Sequence, residues 1–154
     1  MGILDVFDRT WPILGRLMAM HTGVYIATRG VVGHRFPGFP PNLLLQHVGA
    51  KTGKKRIAPL LYFEDGPNLI IIASKGGYPK HPAWFHNLVA NPDTIVQVGS
   101  KRRRVRARVA TPEERPRLWS MVTKPYPHYL AYQERTDREI PVVILEPRAE
   151  TGST

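Results

Sequence analysis

The apolar residues of the chain fall into short runs separated by turn formers rather than into long periodic stretches. Leu43–Val48, Ile57–Phe63 and Leu69–Ala73 are three such runs, dominated by aliphatic and β-branched side chains, and each reads as a strand. Thr94–Val98 and Arg103–Ala110 read as a hairpin across Gly99-Ser100, and Ile140–Leu145 as the strand that closes the sheet. Arg102, Arg104, Arg106 and Arg108 alternate with Arg103, Val105, Ala107 and Val109, so four arginines share one face of a strand and the aliphatic residues take the other.

Helical spacing appears in fewer places. Leu4, Phe7, Trp11, Leu14 and Met18 recur at three- and four-residue steps opposite Asp5, Asp8, Arg9 and Arg16, an amphipathic stripe divided at Pro12. Such a helix packs on the domain, rests on a membrane or closes over a substrate. Lys80-His81-Pro82 predicts a helix start with His81 at the cap, Pro82 in the first turn, and Trp84, Leu88 and Val89 facing the sheet. Thr111-Pro112-Glu113-Glu114 predicts another, with Thr111 as cap and Glu114 at capping-box spacing; Leu118, Trp119, Met121 and Val122 form its buried face before Pro125. Tyr126, Tyr129 and Tyr132 share one face if helical, a row that either packs with its phenols toward solvent or lines the pocket of a flat ligand. His21 to Asn42 reads as a Gly- and Pro-rich loop with a short segment at Val24–Thr28, and Glu64–Asn68 reads as a turn.

The 154 residues suit one domain with a real core. With no cysteine, disulfides, thiolate metal sites and a Cys nucleophile are excluded. His81 and His86 are five apart, off a common helical face, and the remaining histidines form no set with them, so no metal site is expected. The 22 Lys+Arg against 12 Asp+Glu give a formal charge of +10, which points to an anionic partner: nucleic acid, acidic lipid or a polyanionic small molecule. No run is long enough for a transmembrane helix, and Asp5, Asp8 and Arg9 interrupt any signal-like start, which makes the cytoplasm the expected compartment.

Four cationic side chains crowd the turn Gly49-Ala50-Lys51-Thr52-Gly53-Lys54-Lys55-Arg56, an arrangement that repels itself unless solvent or an anion answers it. It is not a nucleotide P-loop: one residue is missing between the glycines, Lys55 stands where Ser or Thr would hold a metal, and a strand follows instead of a helix. Ser74 lacks the G-x-S-x-G elbow of a nucleophile. The spacing of the arginine stripe resembles the pitch of a phosphate backbone, but neither interleaved aromatics nor a nucleic-acid-binding motif accompanies it, so no nucleic acid is expected.

Three motifs in order, Gly49-x-Lys51-Thr52-Gly53-x-x-Arg56-x-x-Pro59-Leu60, Ala73-Ser74-Lys75-Gly76-Gly77 and His81-Pro82-Ala83-Trp84-Phe85-His86-Asn87-Leu88-x-Ala90-Asn91-Pro92, resemble the deazaflavin-dependent nitroreductases, over roughly residues 43–147. The resemblance implies an α+β, mainly β fold: a six-stranded antiparallel split β-barrel, like the FMN-binding split barrels, with flanking helices. Residues 1–42 would form a helical segment and linker, 43–147 the barrel, and 148–154 a tail. It further implies coenzyme F420, an 8-hydroxy-5-deazaflavin with a phosphate and a glutamate tail, and hydride transfer from its reduced form to a quinone or nitroaromatic. Family members act on membrane quinones, which raises a membrane-surface role for the N-terminal helix.

On the same resemblance, the cofactor would be held by Ala50, Lys51, Thr52, Lys54, Lys55 and Arg56 at the turn, and walled by Ala58, Pro59, Leu60, Leu61, Tyr62, Ile72, Ala73, Ser74, Lys75, Gly76, Gly77, Ala83, Trp84, Asn87 and Tyr129. Tyr126, Tyr129 and Tyr132 would shape the acceptor side, with Ser74, Tyr129 and Tyr132 as the catalytic hydrogen-bonding groups. Two positions depart from the pattern. Ala50 stands where an Arg is frequent, leaving Lys54 or Lys55 to compensate, and Leu61 stands where some nitro-reducing relatives have Tyr. The competing readings are an FMN-using split-barrel oxidoreductase, a basic nucleic-acid-binding module, and a cofactor carrier without turnover.

Overall fold

The computed structural model describes residues 16–26 and 40–149; the expected stripe from Leu4 to Leu14 lies outside them. A helix over 16–26 (α1) precedes β1 (Asn42–Val48), β2 (Lys55–Leu61), β3 (Phe63–Asp65), β4 (Asn68–Ile72), α2 (Ala83–Ala90), β5 (Asp93–Val98), β6 (Lys101–Val109), α3 (Arg115–Thr123), α4 (His128–Glu134) and β7 (Val142–Pro147). The strands form one antiparallel sheet in the order β2-β1-β5-β6-β7-β4-β3, and its curl brings β2 against β4.

The expected barrel is therefore present, with seven strands instead of six. The apolar run Ile57–Phe63 is broken at Tyr62, where the chain changes partners. β2 pairs with β1, whereas Phe63–Asp65 pairs with β4, and the Tyr62 amide between them donates to the Pro41 carbonyl at 3.1 Å. The turn expected over Glu64–Asn68 shrinks accordingly to Gly66-Pro67.

Alternation along the strands builds the core. Leu43, Leu45, Ile71, Val96, Val105, Ala107, Val143 and Leu145 point inside the curl, where Trp84 and Leu88 of α2 cover them. Ile70, Ile72, Val142 and Ile144 point to the opposite face, against Leu118 and Val122 of α3 and Tyr129 of α4. Strands β4 and β7 are thus buried on both faces, which is why they read as continuous apolar runs rather than alternating ones. Each such side chain taken from water contributes about 1.5–3 kcal/mol.

The capping box before α3 is present as expected: the Glu114 amide donates to the Thr111 hydroxyl at 3.3 Å, and the Thr111 amide donates to Glu114 Oε1 at 3.1 Å. Three local expectations are corrected. Residues 21–26 continue α1 rather than forming a loop, because the Tyr25 ring is buried beneath the sheet end, where its hydroxyl donates to the Asn42 carbonyl at 3.1 Å and accepts from the Gly99 amide at 2.8 Å. Pro82, not His81, caps α2, since the His81 ring is taken by Arg138. Val89 is 63% exposed instead of facing the sheet. On β6 the four arginines do share a face, but Arg106 pairs with Asp93 and Arg108 with both Glu114 and Glu146, so half of the stripe is neutralised within the fold. Among the described residues no helix is long and apolar enough to cross a membrane.

Candidate functional site

Where β2 closes on β4, a cavity of about 670 Å³ opens between strand and helix walls. Strand β2 contributes Ala58, Pro59, Leu60 and Leu61, while the end of β4 and the turn after it contribute Ile72, Ser74, Lys75 and Gly76. The start of α2 adds Pro82, Ala83 and Trp84, and the α4 region faces them with Tyr126, Tyr129 and Tyr132. His47 and Asn42 of β1 and Met18 of α1 complete the wall.

The turn from Ser74 to Gly77 is held in an unusual backbone path. Lys75, Gly76 and Gly77 all take positive φ, at 45°, 61° and 80°. A Cβ on Gly77 would lie 2.5 Å from the Tyr132 carbonyl oxygen, so glycine is what lets α4 seat on this turn. The Arg138 guanidinium fixes the path from behind, donating to the carbonyls of Ala73 (3.2 Å), Ser74 (2.8 Å) and Tyr78 (2.8 Å) and to His81 Nδ1 at 3.1 Å. Because an arginine is always a donor, His81 accepts through Nδ1 and stays neutral; burial first, then the charges of Arg138 and His86, pull its pKa below the ordinary value. The Ser74 hydroxyl, at the cavity wall, makes no hydrogen bond among the described residues.

Across the cavity the three phenols cluster, with Tyr126 and Tyr132 hydroxyls 3.5 Å apart and the Tyr126 and Tyr129 rings 4.7 Å between centroids. Burial raises the pKa of Tyr126 and Tyr129 above the ordinary tyrosine value, with the neighbouring phenols adding to the effect. At physiological pH they are neutral hydroxyls that donate, not phenolates.

Beyond His47 and Ala58, which line the cavity, the β1–β2 turn and the first residues of β2 present Lys51, Lys54, Lys55 and Arg56. All four are exposed, and none forms an ion pair among the described residues. Asn87 ties this turn to α2. The Ala50 amide donates to Asn87 Oδ1 at 2.9 Å, and Asn87 Nδ2 lies 2.8 Å from His47 Nδ1.

Of the expected residues, Ala58, Pro59, Leu60, Leu61, Ile72, Ser74, Lys75, Gly76, Ala83 and Trp84 line one cavity together with all three tyrosines. Ala50, Lys51, Thr52 and Lys54 on the turn, and Lys55 and Arg56 at the start of β2, lie outside it. Tyr62 and Ala73 are buried in the core, Gly77 is buried against Tyr132, and Asn87 stands behind the wall as the link just described. Sequence reasoning missed His47, although its alternation with Leu43 and Leu45 marks the inner face of β1. It also missed Arg138, for which a lone arginine in a polar stretch offers no signal. No cluster of metal-ligating side chains exists among the described residues.

The sequence profile of the F420H(2)-dependent quinone reductase family matches residues 17–147. An F420H(2)-dependent quinone reductase of Mycobacterium tuberculosis is 46% identical over 136 residues, covering 86% of this chain and 91% of that relative. A solved F420-H2 dependent reductase superposes with a TM-score of 0.64 at 46% identity, covering 69% of this chain and 94% of its own. Another solved chain, described as a domain-swapped dimer, superposes with a TM-score of 0.66 at 38% identity over 90% of this chain and 99% of its own. These findings narrow the resemblance from nitroreductase to quinone reductase and leave the FMN alternative unsupported. On the profile match and on these relatives, the chain belongs to the F420H(2)-dependent quinone reductase family.

Proposed function

We propose that this chain uses reduced coenzyme F420 to convert a quinone to its hydroquinone, and that the cavity under the basic turn is where the two meet. The observation that carries the reading is the juxtaposition of four cations, unpaired among the described residues, with a large apolar slot faced by three phenols. The donor set fits the coenzyme: cations for its phosphate and carboxylates, aliphatic and indole surface for a flat ring, and backbone that approaches closely at Ser74–Gly77.

When bound, the coenzyme supplies the hydride; a proton from solvent completes the hydroquinone. Lys51 and Arg56 would hold the phosphate and acidic tail, with Lys54 or Lys55 taking over the phosphate contact that Ala50 cannot make. Ala58, Pro59, Leu60, Leu61 and Trp84 flank the ring and keep water from it. Ser74, Tyr129 and Tyr132 hydrogen-bond the acceptor oxygens as negative charge develops there. Leu61 in place of a phenol argues for quinones over nitro compounds.

The test is a fluorescence titration with oxidised F420 and FMN as control, followed by quinone-dependent oxidation of the reduced coenzyme. Saturable binding of F420 alone, weakened about tenfold or more by Lys51→Ala and by Arg56→Ala, is expected, since each removes a charge-assisted contact of about 1.5–3 kcal/mol. Binding that ignores both substitutions overturns the assignment of the turn, and turnover with nitroaromatics but not quinones overturns the acceptor.

A specific feature favours an acceptor drawn from a lipid surface. Helix α1 exposes Leu17 (51%), Met20 (63%) and Ile26 (45%), while Met18 of the same helix lines the cavity, and the net charge is +10. Co-flotation with anionic vesicles, lost in Leu17→Ser/Met20→Ser, is expected; recovery with neither anionic nor neutral vesicles removes the idea.

A further inference from the structure

We propose that His47 is a hydrogen-bond donor for the coenzyme's arm, at the place where the polyol and phosphate chain leaves the flat ring; this rests on the F420 reading above. The argument begins at a backbone amide, whose proton position is fixed. The Ala50 N–H donates to Asn87 Oδ1 at 2.9 Å, and an amide oxygen cannot be exchanged for its nitrogen there without setting two donors against each other. The other end of the Asn87 side chain is therefore Nδ2, a donor, and it lies 2.8 Å from His47 Nδ1.

His47 Nδ1 must accept, so the ring proton sits on Nε2. A second proton on the ring would turn Nδ1 into a donor facing a donor. The imidazole is held neutral, in one tautomer, by a chain of two hydrogen bonds. Burial, with a smaller contribution from the Arg56 charge, acts in the same direction on its pKa. His47 is only 6% exposed, and it lines the cavity, yet Nε2 makes no hydrogen bond among the described residues. The Nε2–H is thus a donor with a fixed proton, no protein partner among the described residues, and access to the cavity, where a bound acceptor can meet it.

Position identifies that acceptor. His47 lies directly across the β1–β2 ladder from Arg56, the last cation of the basic turn, while the aliphatic slot begins two residues along at Ala58. The group it meets belongs between an anion and a flat ring: an oxygen of the connecting polyol or of the phosphate ester. The acceptor quinone, on the tyrosine side, is not its partner. A neutral donor suits a polyol oxygen, and it leaves charge neutralisation to the lysines and Arg56.

Two measurements test this. In the coenzyme-free protein, nitrogen-15 spectra of the imidazole should show a neutral ring protonated at Nε2 at pH 7.5; an Nδ1-protonated or doubly protonated His47 overturns the hydrogen-bond chain. In the second, His47→Leu should weaken F420 binding about tenfold, the loss of one hydrogen bond to a buried partner, and His47→Gln, which keeps an N–H near the ε position, should recover most of it. KM for quinone should not move. A deazaflavin ring carrying only a methyl group in place of the arm should bind wild type and His47→Leu alike. Equal losses for full and truncated coenzyme, or no recovery with Gln, would show a merely structural role and sink the proposal. Wild type that binds no deazaflavin overturns the proposed function itself, whereas wild-type binding matched by His47→Leu overturns only the role of His47.

Discussion

A single amide, Asn87, holds together three parts of the site: the basic turn, the buried His47 and helix α2. Asn87→Ala leaves the Ala50 N–H without its acceptor and the buried His47 nitrogen without its donor, which costs about 1–3 kcal/mol for an unsatisfied group. A lower midpoint in urea, accompanied by weaker F420 binding, is expected; unchanged stability would mean that water replaces the amide. The phenols behave differently. Tyr129→Phe keeps the ring that packs against α3 and Phe63 and deletes only the hydroxyl, so kcat should fall about 100- to 1,000-fold, the usual range for losing one preorganised donor, with F420 affinity intact. Because burial pushes the Tyr126 and Tyr129 pKa values up, a kcat–pH profile should show no loss assignable to these phenols below the ordinary tyrosine range near 10. The tyrosine row was readable because its three-residue spacing survives folding. Asn87 was readable as a buried polar group in need of partners, but not as a link to a turn 37 residues away, since that distance in sequence is closed only by the sheet.

Among the elements, the turn after β4 is set least by its own sequence and most by what packs on it. Two glycines announce a special backbone, yet Lys75 also adopts positive φ, and what holds it there is Arg138, 63 residues away in the chain. Arg138→Met is expected to release three carbonyls and to raise the KM for reduced F420 while leaving the barrel folded, checked by circular dichroism beside kinetics. Gly77→Ala is more severe, because the new methyl meets the Tyr132 carbonyl at 2.5 Å in a conformation with φ of 80°; the melting temperature should drop and the Tyr cluster should shift. Thr111→Ala removes half of a capping box and should cost about 1 kcal/mol in stability without touching turnover. That motif was legible because both partners lie within four residues. The break at Tyr62 was not, since only the pairing of Phe63 with Ile70 on a different strand ends β2 there.

For the molecule as a whole, stability should decline on the acid side. His47 and His81 both have folded pKa values depressed from 6.5, so the unfolded chain binds protons first as pH falls. Their neutral hydrogen bonds stabilise the fold fully above about 6.5, and that contribution is lost as pH drops through the lower folded values. Glu114 acts further down: its carboxyl, held at about 2 by Arg108, supports the fold above 4.5 and gives way between those two values. Urea midpoints at pH 8, 6 and 5 should fall in that order, and a flat profile would contradict the buried neutral state of both histidines. The individual strands were legible because alternation and turn chemistry are local, whereas the barrel came from the resemblance; its seventh strand depends on the pairing of β3 with β4, and its curl on contacts between β2 and β4, which no local pattern encodes.

The division of the cavity wall has a further consequence for redesign. One side of the wall rides on the sheet, the turn it delivers and the start of α2; the other is carried by α4 and the segment that leads into it, through Tyr126, Tyr129 and Tyr132. On the proposed function, a combinatorial library confined to Tyr126 and Tyr132 would sample new acceptors on an unaltered coenzyme scaffold, and the same partition offers natural variants a route by which acceptor choice drifts while coenzyme dependence is inherited.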